Sequence, residues 1–278
     1  MKIEEIVRSA LREDIGDGDH TSLATIPDQA EGKAILIAKD SGILAGIDVA
    51  REVFRQVDAS TKMNIFKNDG SEIKKGDKIF IVSGKAQSLL SAERTALNFL
   101  QRMSGIATFT SKLASQLVGL NAKLLDTRKT TACNRTVEKL AVKLGGGHNH
   151  RFGLYDMIMI KDNHIDFAGG IENAINATHN YLNSKRKDLK IEIEVRNFDE
   201  LDEVLNVGKV NRIMLDNFTP EDLKKAIIII NNDHETEASG NINIENIREY
   251  AETGVDYISV GALTHQIKSL DMSLKAVK

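Results

Sequence analysis

Residues 213–230, with the sequence IMLDNFTPEDLKKAIIII, decide the fold class of this chain. The aliphatic run Ile213–Leu215 has the length of a short buried strand, and it ends in Asp216. A helical stretch, Pro220–Ile230, follows after a few residues. A short strand followed directly by a helix is the repeating unit of parallel α/β folds.

The same unit recurs through the second half of the chain. Each apolar run ends in or runs into a polar, charged or glycine residue, and successive ends are about 20 to 35 residues apart, the βα period of a parallel barrel. The other runs are Ala122–Leu125, Met157–Ile160, Ile191–Val195, Ala238 before Ser239, and Ile258–Val260. Six units predict an α/β barrel over residues 106–266.

Residues 1–105 have a different pattern, which predicts a small N-terminal α+β domain. A short polar helix is expected over Lys2–Glu13, with short strands at Ala34–Ala38 and Ile79–Val82 separated by glycine-containing turns.

Between these regions, residues 87–103 have the 3.6-residue periodicity of an amphipathic helix. Leu90 and Leu97 belong to its apolar face, and Arg94 lies at the border beside them. Two interpretations stay open at this point. Either the arginine stem covers apolar surface while its charge reaches water, or the guanidinium binds an anion.

Composition excludes several classes of protein. The chain has 37 basic and 40 acidic residues, a net charge of −3, which does not favour nucleic-acid binding. Its single cysteine, Cys133, cannot form an internal disulfide, and a reducing cytoplasm is compatible with it. The longest aliphatic run, Ala226–Ile230, is too short to cross a membrane, and the first ten residues do not resemble a targeting signal.

Charged residues collect at the predicted strand ends. In a βα barrel these ends meet at one mouth, so residues distant in sequence form one candidate site. Such a concentration of cations in an acidic chain is typical of a site for a polyanion. The charged and potentially charged residues at these ends are Arg128, Lys129, His150, Arg151, Lys161, Glu194 and Asp216.

Two glycine turns, Ser239-Gly240-Asn241 and Val260-Gly261-Ala262, follow the last two predicted strands. In barrels this region often binds phosphate through backbone N–H groups at helix starts, although a glycine after a strand is also common without a ligand. Glu194 and Asp216 could share a Mg²⁺ that arrives with a diphosphate.

Three other interpretations depend on single residues. Lys161 at a strand end could form a Schiff base, as the lysine of barrel aldolases does. His148-x-His150 could be half of a metal site, although loop hydrogen bonding explains the pair as well. Cys133 could be a nucleophile of lowered pKa, or only a small loop residue.

Eight motifs in order make the chain resemble the quinolinate phosphoribosyltransferases, also called nicotinate-nucleotide pyrophosphorylases. The resemblance covers nearly the whole sequence. The motifs are Glu13-Asp14-Ile15-Gly16-x-Gly18-Asp19-x-Thr21-Ser22, Glu93-Arg94-Thr95-Ala96-Leu97-Asn98, Ser104-Gly105-Ile106-Ala107-Thr108, Asp126-Thr127-Arg128-Lys129-Thr130, Gly145-Gly146-Gly147-His148-Asn149-His150-Arg151, Ile160-Lys161-Asp162-Asn163-His164, Leu215-Asp216-Asn217-Phe218 and Ser239-Gly240-Asn241-Ile242.

The resemblance implies a fold and a reaction. The fold is a small N-terminal α+β domain, joined by the segment 267–278, followed by an incomplete TIM-like barrel of about seven strands. The reaction, part of NAD biosynthesis, joins quinolinate to phosphoribosyl pyrophosphate with Mg²⁺ and releases pyrophosphate and CO₂. The product is nicotinate mononucleotide, and the enzyme is expected to be a cytoplasmic homodimer.

The resemblance also implies roles for individual residues. Arg94 would enter the active site of the neighbouring subunit, and Glu194 and Asp216 would face the ribose and Mg²⁺. Catalytic roles fall to these two carboxylates and to Lys129 and Lys161. The cationic set that would hold the substrates' carboxylates and phosphates, with a threonine beside it, is Thr127, Arg128, Lys129, His150, Arg151 and Lys161. The turn residues that would bind the 5′-phosphate are Ser239, Gly240, Asn241, Val260, Gly261 and Ala262.

The chain departs from the family pattern at two loops. Ala132-Cys133 stands where many members have Pro-Gly, and Asn241 stands where a second glycine is frequent. Two competing functions share parts of the pattern: a paralogue associated with molybdenum utilisation, and a phosphate-ligand sensor without catalysis. The complete cationic set favours the transferase over both.

Overall fold

The computed structural model describes residues 1–277, which divide into two compact units that interleave along the chain. Unit 1 contains Met1–Ser111, Lys129–Gly146 and the segment from Leu263 onward. Unit 2 contains Lys112–Arg128 and Gly147–Ala262. The predicted domain boundary between residues 105 and 106 divides the chain differently and stays a prediction.

The helices and strands follow one another in an order that is mixed in the first part of the chain and strictly alternating in the second. The helices are α1 (Ile3–Ile15), α2 (His20–Thr25), α3 (Ile47–Val57), α4 (Ala86–Ser115), α5 (Arg135–Leu144), α6 (Asp162–Ala168), α7 (Ile171–Lys185), α8 (Phe198–Val207), α9 (Pro220–Ile230), α10 (Ile247–Ala251) and α11 (Ala262–His265). The strands are β1 (Glu31–Ala38), β2 (Gly42–Ile43), β3 (Lys62–Ile65), β4 (Glu72–Ile73), β5 (Lys78–Lys85), β6 (Lys123–Leu125), β7 (Ile158–Ile160), β8 (Ile191–Val195), β9 (Arg212–Asp216), β10 (Glu235–Ser239), β11 (Tyr257–Ser259) and β12 (Met272–Ala276).

Unit 1 is built on an antiparallel sheet with the strand order β12-β1-β5-β3. Its core contains Leu36 and Val82, which are fully buried, and the edge-to-face pair Phe54 and Phe80, whose ring centroids are 6.3 Å apart. The late strand β12 pairs with β1, so the described part of segment 267–278 packs in this unit. Lys278 lies outside the described residues.

Helix α4 extends well beyond the predicted 87–103, and one row of its surface is exposed. Leu90, Arg94 and Asn98 follow one another at intervals of four residues on this row. The prediction that Leu90 lies on the buried face is wrong, since its side chain is 45% exposed. Apolar character alone did not reveal which side of the helix faces the core.

Unit 2 contains a parallel sheet of six strands with the order β6-β11-β10-β9-β8-β7, which confirms the predicted incomplete α/β barrel. Within this sheet, β6 comes first in sequence and β11 comes last, and the two pair with each other as in a barrel. Within residues 1–277 no ladder joins β6 to β7, so the sheet stays open there. A single parallel bridge between Leu125 and His148 takes the place of a further strand at this opening.

The two faces of the sheet in unit 2 have opposite character. Residues with even numbers in β8 share one face with Arg212 of β9 and Glu237 of β10, as the strand register shows. The other face carries Ile191, Ile193 and Leu215, which are almost fully buried. A barrel interior is usually filled by branched apolar side chains, and this one contains charges instead.

Each predicted strand in the second half corresponds to an observed one within two residues, except that Ala238 is the fourth residue of β10. Helix α9 has the predicted bounds, Pro220–Ile230. Among the described residues no helix has the length and apolar character needed to span a membrane.

Candidate active site

An ion pair stands at the carboxyl ends of two neighbouring strands. Lys161 directly follows β7, and its Nζ contacts Oε2 of Glu194, the fourth residue of β8. The glutamate is nearly buried and the lysine is half-buried. The contact places the amine of Lys161 against a protein carboxylate and does not by itself indicate a Schiff base.

Asp216 and the first glycine turn lie together at the next two strand ends. Asp216 pairs in register with Ser239, and its carboxylate accepts a hydrogen bond of 2.6 Å from Nδ2 of Asn217. Gly240 has a φ of +101°, and a Cβ added to it would lie 2.2 Å from Oδ1 of Asn217. Asn241 Nδ2 donates to the same oxygen over 3.3 Å. A glycine is therefore required at 240.

The second turn, Val260-Gly261-Ala262, follows β11 in the same unit. The N–H of Val260 donates to the carbonyl of Leu125 over 3.0 Å, and Ala262 begins the four-residue helix α11. These contacts attach the turn to β6 and do not by themselves indicate a ligand.

Two arginines of unit 2 lie close to one another. Burial lowers the pKa of Arg151 from its usual value, and the positive charge of Arg128 lowers it further. Thr127 precedes Arg128 and is half-buried, like both arginines. Guanidinium groups that repel each other in a partly buried place are favourable for binding an anion, because the anion relieves their repulsion.

Asp126 holds the loop that carries Arg151. Its carboxylate is fully buried at the end of β6 and accepts hydrogen bonds from the backbone N–H of His150 (2.8 Å) and from Nδ2 of Asn149 (2.6 Å). We call the segment Asn149–Arg151 the 149–151 loop.

His150 points into the sheet. Its Nε2 lies 3.0 Å from Oε2 of Glu192 and 3.2 Å from Oε2 of Glu237, and its side chain is only 4% exposed. His148 is exposed, so the two histidines do not converge on a common ion. The contact between His150 and substrate stays a prediction, and the ring Nε2 faces two protein carboxylates.

Arg212 completes a buried set of charges around His150. Its Nη1 contacts Oε2 of Glu237 at 2.9 Å. Burial by itself lowers the pKa of His150, but its hydrogen bonds to Glu192 and Glu237 and their negative charges outweigh this and raise that pKa to about 9. Burial and the charge of Glu237 raise the pKa of Glu192 to about 7. One proton shared between His150 and Glu192 balances the charges.

Sequence reasoning missed Glu192, Arg212 and Glu237. The signal was present, because Glu192 and Glu194 alternate with isoleucines and must share a face of their strand. Glu235 and Glu237 alternate in the same way in β10. The predicted site included only charged residues at or just beyond the strand ends, so these three residues inside the strands were left out.

Lys129 belongs to unit 1, in a loop held by a buried ion pair. Its carbonyl accepts a hydrogen bond of 2.7 Å from Oγ1 of Thr264. Glu138, which is fully buried, accepts one hydrogen bond from Nε of Arg102 (2.7 Å) and another from the N–H of Thr131 (3.0 Å). We call the segment Lys129–Thr131 the 129–131 loop.

The same part of unit 1 contains Cys133, whose thiol is exposed. Its φ of 63° lies in the left-handed region that favours glycine. Asn241 in unit 2 has a φ of 52°. Both departures from the family pattern, Cys133 and Asn241, therefore lie at positions where the backbone suits glycine. No observation supports a nucleophilic role for the thiol.

Mg²⁺ can be tested against Glu194 and Asp216 from their contacts. One oxygen of Glu194 faces the ammonium of Lys161, and Asp216 accepts a hydrogen bond from Asn217. Mg²⁺ usually needs only one or two protein carboxylates when substrate phosphates and water supply the other oxygens. The two residues fit an ion that arrives with a diphosphate.

The fold and site define a class: an α/β-barrel protein whose strand ends present cations beside two carboxylates and glycine turns, as phosphate-handling enzymes do. Two family models match the chain, the quinolinate phosphoribosyl transferase N-terminal domain over residues 19–104 and the C-terminal domain over residues 106–275. The chain belongs to the quinolinate phosphoribosyltransferase family.

Individual relatives agree with this assignment. Quinolinate phosphoribosyltransferase [decarboxylating] 1b of Nicotiana tabacum is 46% identical over 98% of this chain and 82% of its own length. A probable nicotinate-nucleotide pyrophosphorylase [carboxylating] of Bacillus subtilis is 40% identical over 99% of this chain and 93% of its own. The solved structure of nicotinate-nucleotide pyrophosphorylase from Francisella tularensis is 41% identical, with a TM-score of 0.91 over 99% of this chain and 96% of that one.

Proposed function

We propose that this chain is a transferase of NAD biosynthesis that moves the phosphoribosyl group of phosphoribosyl pyrophosphate to quinolinate, with loss of CO₂. The observation that carries the proposal is the pair Arg128 and Arg151, whose like charges lie near each other in a partly buried place. A dicarboxylate such as quinolinate relieves that repulsion. Relatives 40 to 46% identical over nearly the whole chain bear the corresponding names.

The roles we propose for the site residues follow from their charges. Carboxylates and phosphates of the substrates bind the cationic side chains, and Glu194 and Asp216 stabilise the positive charge that develops on the ribose. Ser239, Gly240 and Asn241, with Val260, Gly261 and Ala262, provide backbone N–H groups for the 5′-phosphate. The cationic and neighbouring residues are Thr127, Arg128, Lys129, His150, Arg151 and Lys161.

The reaction requires two bond exchanges. The bond between the anomeric carbon and pyrophosphate breaks, and the quinolinate nitrogen forms a bond to that carbon. The carboxylate next to the nitrogen then leaves as CO₂, and its electron pair stays on the ring carbon, which takes a proton from water. No general base is needed, so the contribution of the protein is electrostatic and positional.

Mg²⁺ bound with the diphosphate would neutralise charge on the leaving group. Glu194 and Asp216 are the side chains we propose near it, directly or through water.

A homodimer completes the site in this proposal. Arg94 lies on an exposed row of α4 in unit 1 beside Leu90, an apolar side chain that is 45% exposed. An exposed arginine next to an exposed leucine suits an interface, and we propose that Arg94 enters the active site of the neighbouring subunit. A cytoplasmic location belongs to the same proposal.

The test is quinolinate-dependent release of pyrophosphate from phosphoribosyl pyrophosphate with Mg²⁺, with nicotinate as an alternative acceptor. Release with quinolinate only, together with nicotinate mononucleotide as product, is expected. Absence of release with both acceptors would contradict the proposal. A covalent adduct trapped by borohydride with a carbonyl substrate would instead support a Lys161 Schiff base.

A variant pair tests the arginines. Arg128→Ala is expected to raise KM for quinolinate or lower kcat, with at least a hundredfold loss in kcat/KM, because a charged hydrogen bond to a carboxylate is lost. Arg248→Ala is the control, since Arg248 forms an exposed pair with Glu252 in the same unit. Near-normal turnover by Arg128→Ala would contradict the role given to Arg128.

A further inference from the structure

Four buried residues on the charged face of the unit 2 sheet form an anchoring cluster: His150, Glu192, Arg212 and Glu237. Glu192 and Glu237 are fully buried, and His150 and Arg212 are each 8% exposed. Their contacts join three strands and one loop, since Glu192 is in β8, Arg212 in β9 and Glu237 in β10.

Such a cluster is costly to bury. Removing two carboxylates and a guanidinium from water opposes folding unless their charges are paired and balanced. Arg212 balances one carboxylate, and a single proton shared with His150 balances the other. A divalent cation in place of that proton would leave one excess positive charge, so the charge count favours the proton over a metal.

The cluster reaches the loop that carries Arg151 through His150. His150 belongs to this loop, and its ring Nε2 lies 3.0 Å from Oε2 of Glu192 and 3.2 Å from Oε2 of Glu237. On the other side, Asp126 binds the backbone N–H of His150. The 149–151 loop is thus held between buried carboxylates on both sides.

The charge of the cluster also acts on the arginine itself. The negative charge of Glu192 attracts the guanidinium of Arg151, which opposes the repulsion from Arg128. The same cluster therefore influences the backbone position of Arg151 and the electrostatic environment of its side chain.

We propose that Glu237, through His150, is a positioning residue that holds the 149–151 loop so that Arg151 can bind a carboxylate of the substrate. This inference deepens the proposed function and depends on it for the identity of the substrate. Glu237 itself does not touch the substrate, so its effect is on quinolinate affinity and not on the diphosphate.

Glu235 provides a matched control in the same strand. It contacts Arg212 with an Nη2–Oε2 distance of 3.1 Å and its side chain is 34% exposed, whereas the buried Glu237 contacts both Arg212 and His150. Glu237→Gln and Glu235→Gln therefore each remove one carboxylate from Arg212, and the first also removes a carboxylate from His150.

The kinetic experiment compares these two variants. Glu237→Gln is expected to raise KM for quinolinate at least tenfold and to change KM for phosphoribosyl pyrophosphate less than twofold. Glu235→Gln is expected to change both values less than twofold. Equal changes in the two variants, or a loss of kcat with unchanged KM for quinolinate, would overturn the proposal, because both indicate an effect on the fold or on chemistry alone.

A spectroscopic experiment needs no substrate, so it tests the anchoring of the loop even if the proposed function is wrong. The ring nitrogens of His150 are followed by NMR against pH in the ligand-free chain, with His150→Gln used for assignment. The charged groups that face this ring are Glu192 in β8, Arg212 in β9, Glu237 in β10 and Asp126 after β6. Wild type is expected to titrate well above 6.5, and Glu235→Gln like wild type.

Glu237→Gln is expected to lower the His150 midpoint by at least one pH unit. A His150 in wild type that titrates near 6.5, as an exposed ring does, would refute the anchoring even if Glu237→Gln does not fold. If wild type lacks quinolinate-dependent release while His150 behaves as expected, the anchoring of the loop stands and the substrate assignment fails.

Discussion

The two loops that carry predicted substrate cations are anchored by buried charges in different ways. In unit 1 the 129–131 loop is held by one carboxylate, Glu138, which has one arginine partner and one backbone N–H. In unit 2 the 149–151 loop is held by His150 between two carboxylates that share one arginine.

Charge balance determines how each anchor responds to pH. A carboxylate with an arginine is balanced without a proton, and arginine keeps its charge at all ordinary pH values. Two carboxylates with one arginine need a proton, which His150 can hold or release. We therefore expect the first anchor to act as a fixed support and the second to weaken as pH rises.

The largest expected effect comes from breaking the unit 1 anchor. Glu138→Ala leaves Arg102 without its carboxylate and the N–H of Thr131 without its acceptor. We expect a loss of about 3–5 kcal/mol in the free energy of unfolding, as for other broken buried ion pairs. Thermal and urea unfolding measure it.

Asp48→Ala is the control, because Asp48 pairs with Arg51 on the exposed surface of α3 in the same unit. That change is expected to cost less than about 1 kcal/mol. Similar losses in both variants would show that burial of Glu138 does not matter.

The second prediction concerns pH and the unit 2 anchor. The pKa of His150 rises from 6.5 to about 9 on folding, so the folded state keeps a proton that the unfolded state has lost in this window. The contribution of His150 to the free energy of unfolding is therefore fully present below pH 6.5. It is lost as pH rises toward 9, by on the order of 1–3 kcal/mol. Urea unfolding at a series of pH values measures the slope.

His150→Gln should remove this component of the slope. A slope of the same size in His150→Gln would assign the pH dependence to other groups.

The smallest expected effects concern two residues with positive φ, Cys133 in unit 1 and Asn241 in unit 2. Cys133→Gly should stabilise the chain by about 0.5–1 kcal/mol, since relief of left-handed strain exceeds the added entropy of the unfolded glycine. Asn241→Gly should change stability by less than about 0.5 kcal/mol, because asparagine tolerates this region better and also contacts Asn217. A larger gain at 241 than at 133 would contradict this order.

Local pattern predicted most of the architecture. The run Ile191–Val195 and the stretch Pro220–Ile230 have the predicted bounds, because strand alternation and helix periodicity depend on near neighbours in sequence. The family resemblance implied an incomplete barrel, but the position of its opening at His148 was not predicted, since a single bridge has no sequence pattern.

The candidate site was predicted in part. The structure brings Lys161 to Glu194, Arg128 near Arg151, and Asp216 to the turn at Gly240. Burial of His150 was not foreseen, because whether a histidine at a strand end faces solvent or the sheet depends on residues about 40 and 90 positions later.

The alternation of strands and helices, the cations at the strand ends and the family could all be predicted from the sequence. Those features depend on residue types and short spacings, which are visible along the chain. The balance of the buried charges is visible in the folded chain alone: Glu138 pairs with Arg102, and His150 lies with Glu192, Glu237 and Arg212. Pairing of buried charges depends on distance in space, and packing brings together residues that are far apart in sequence.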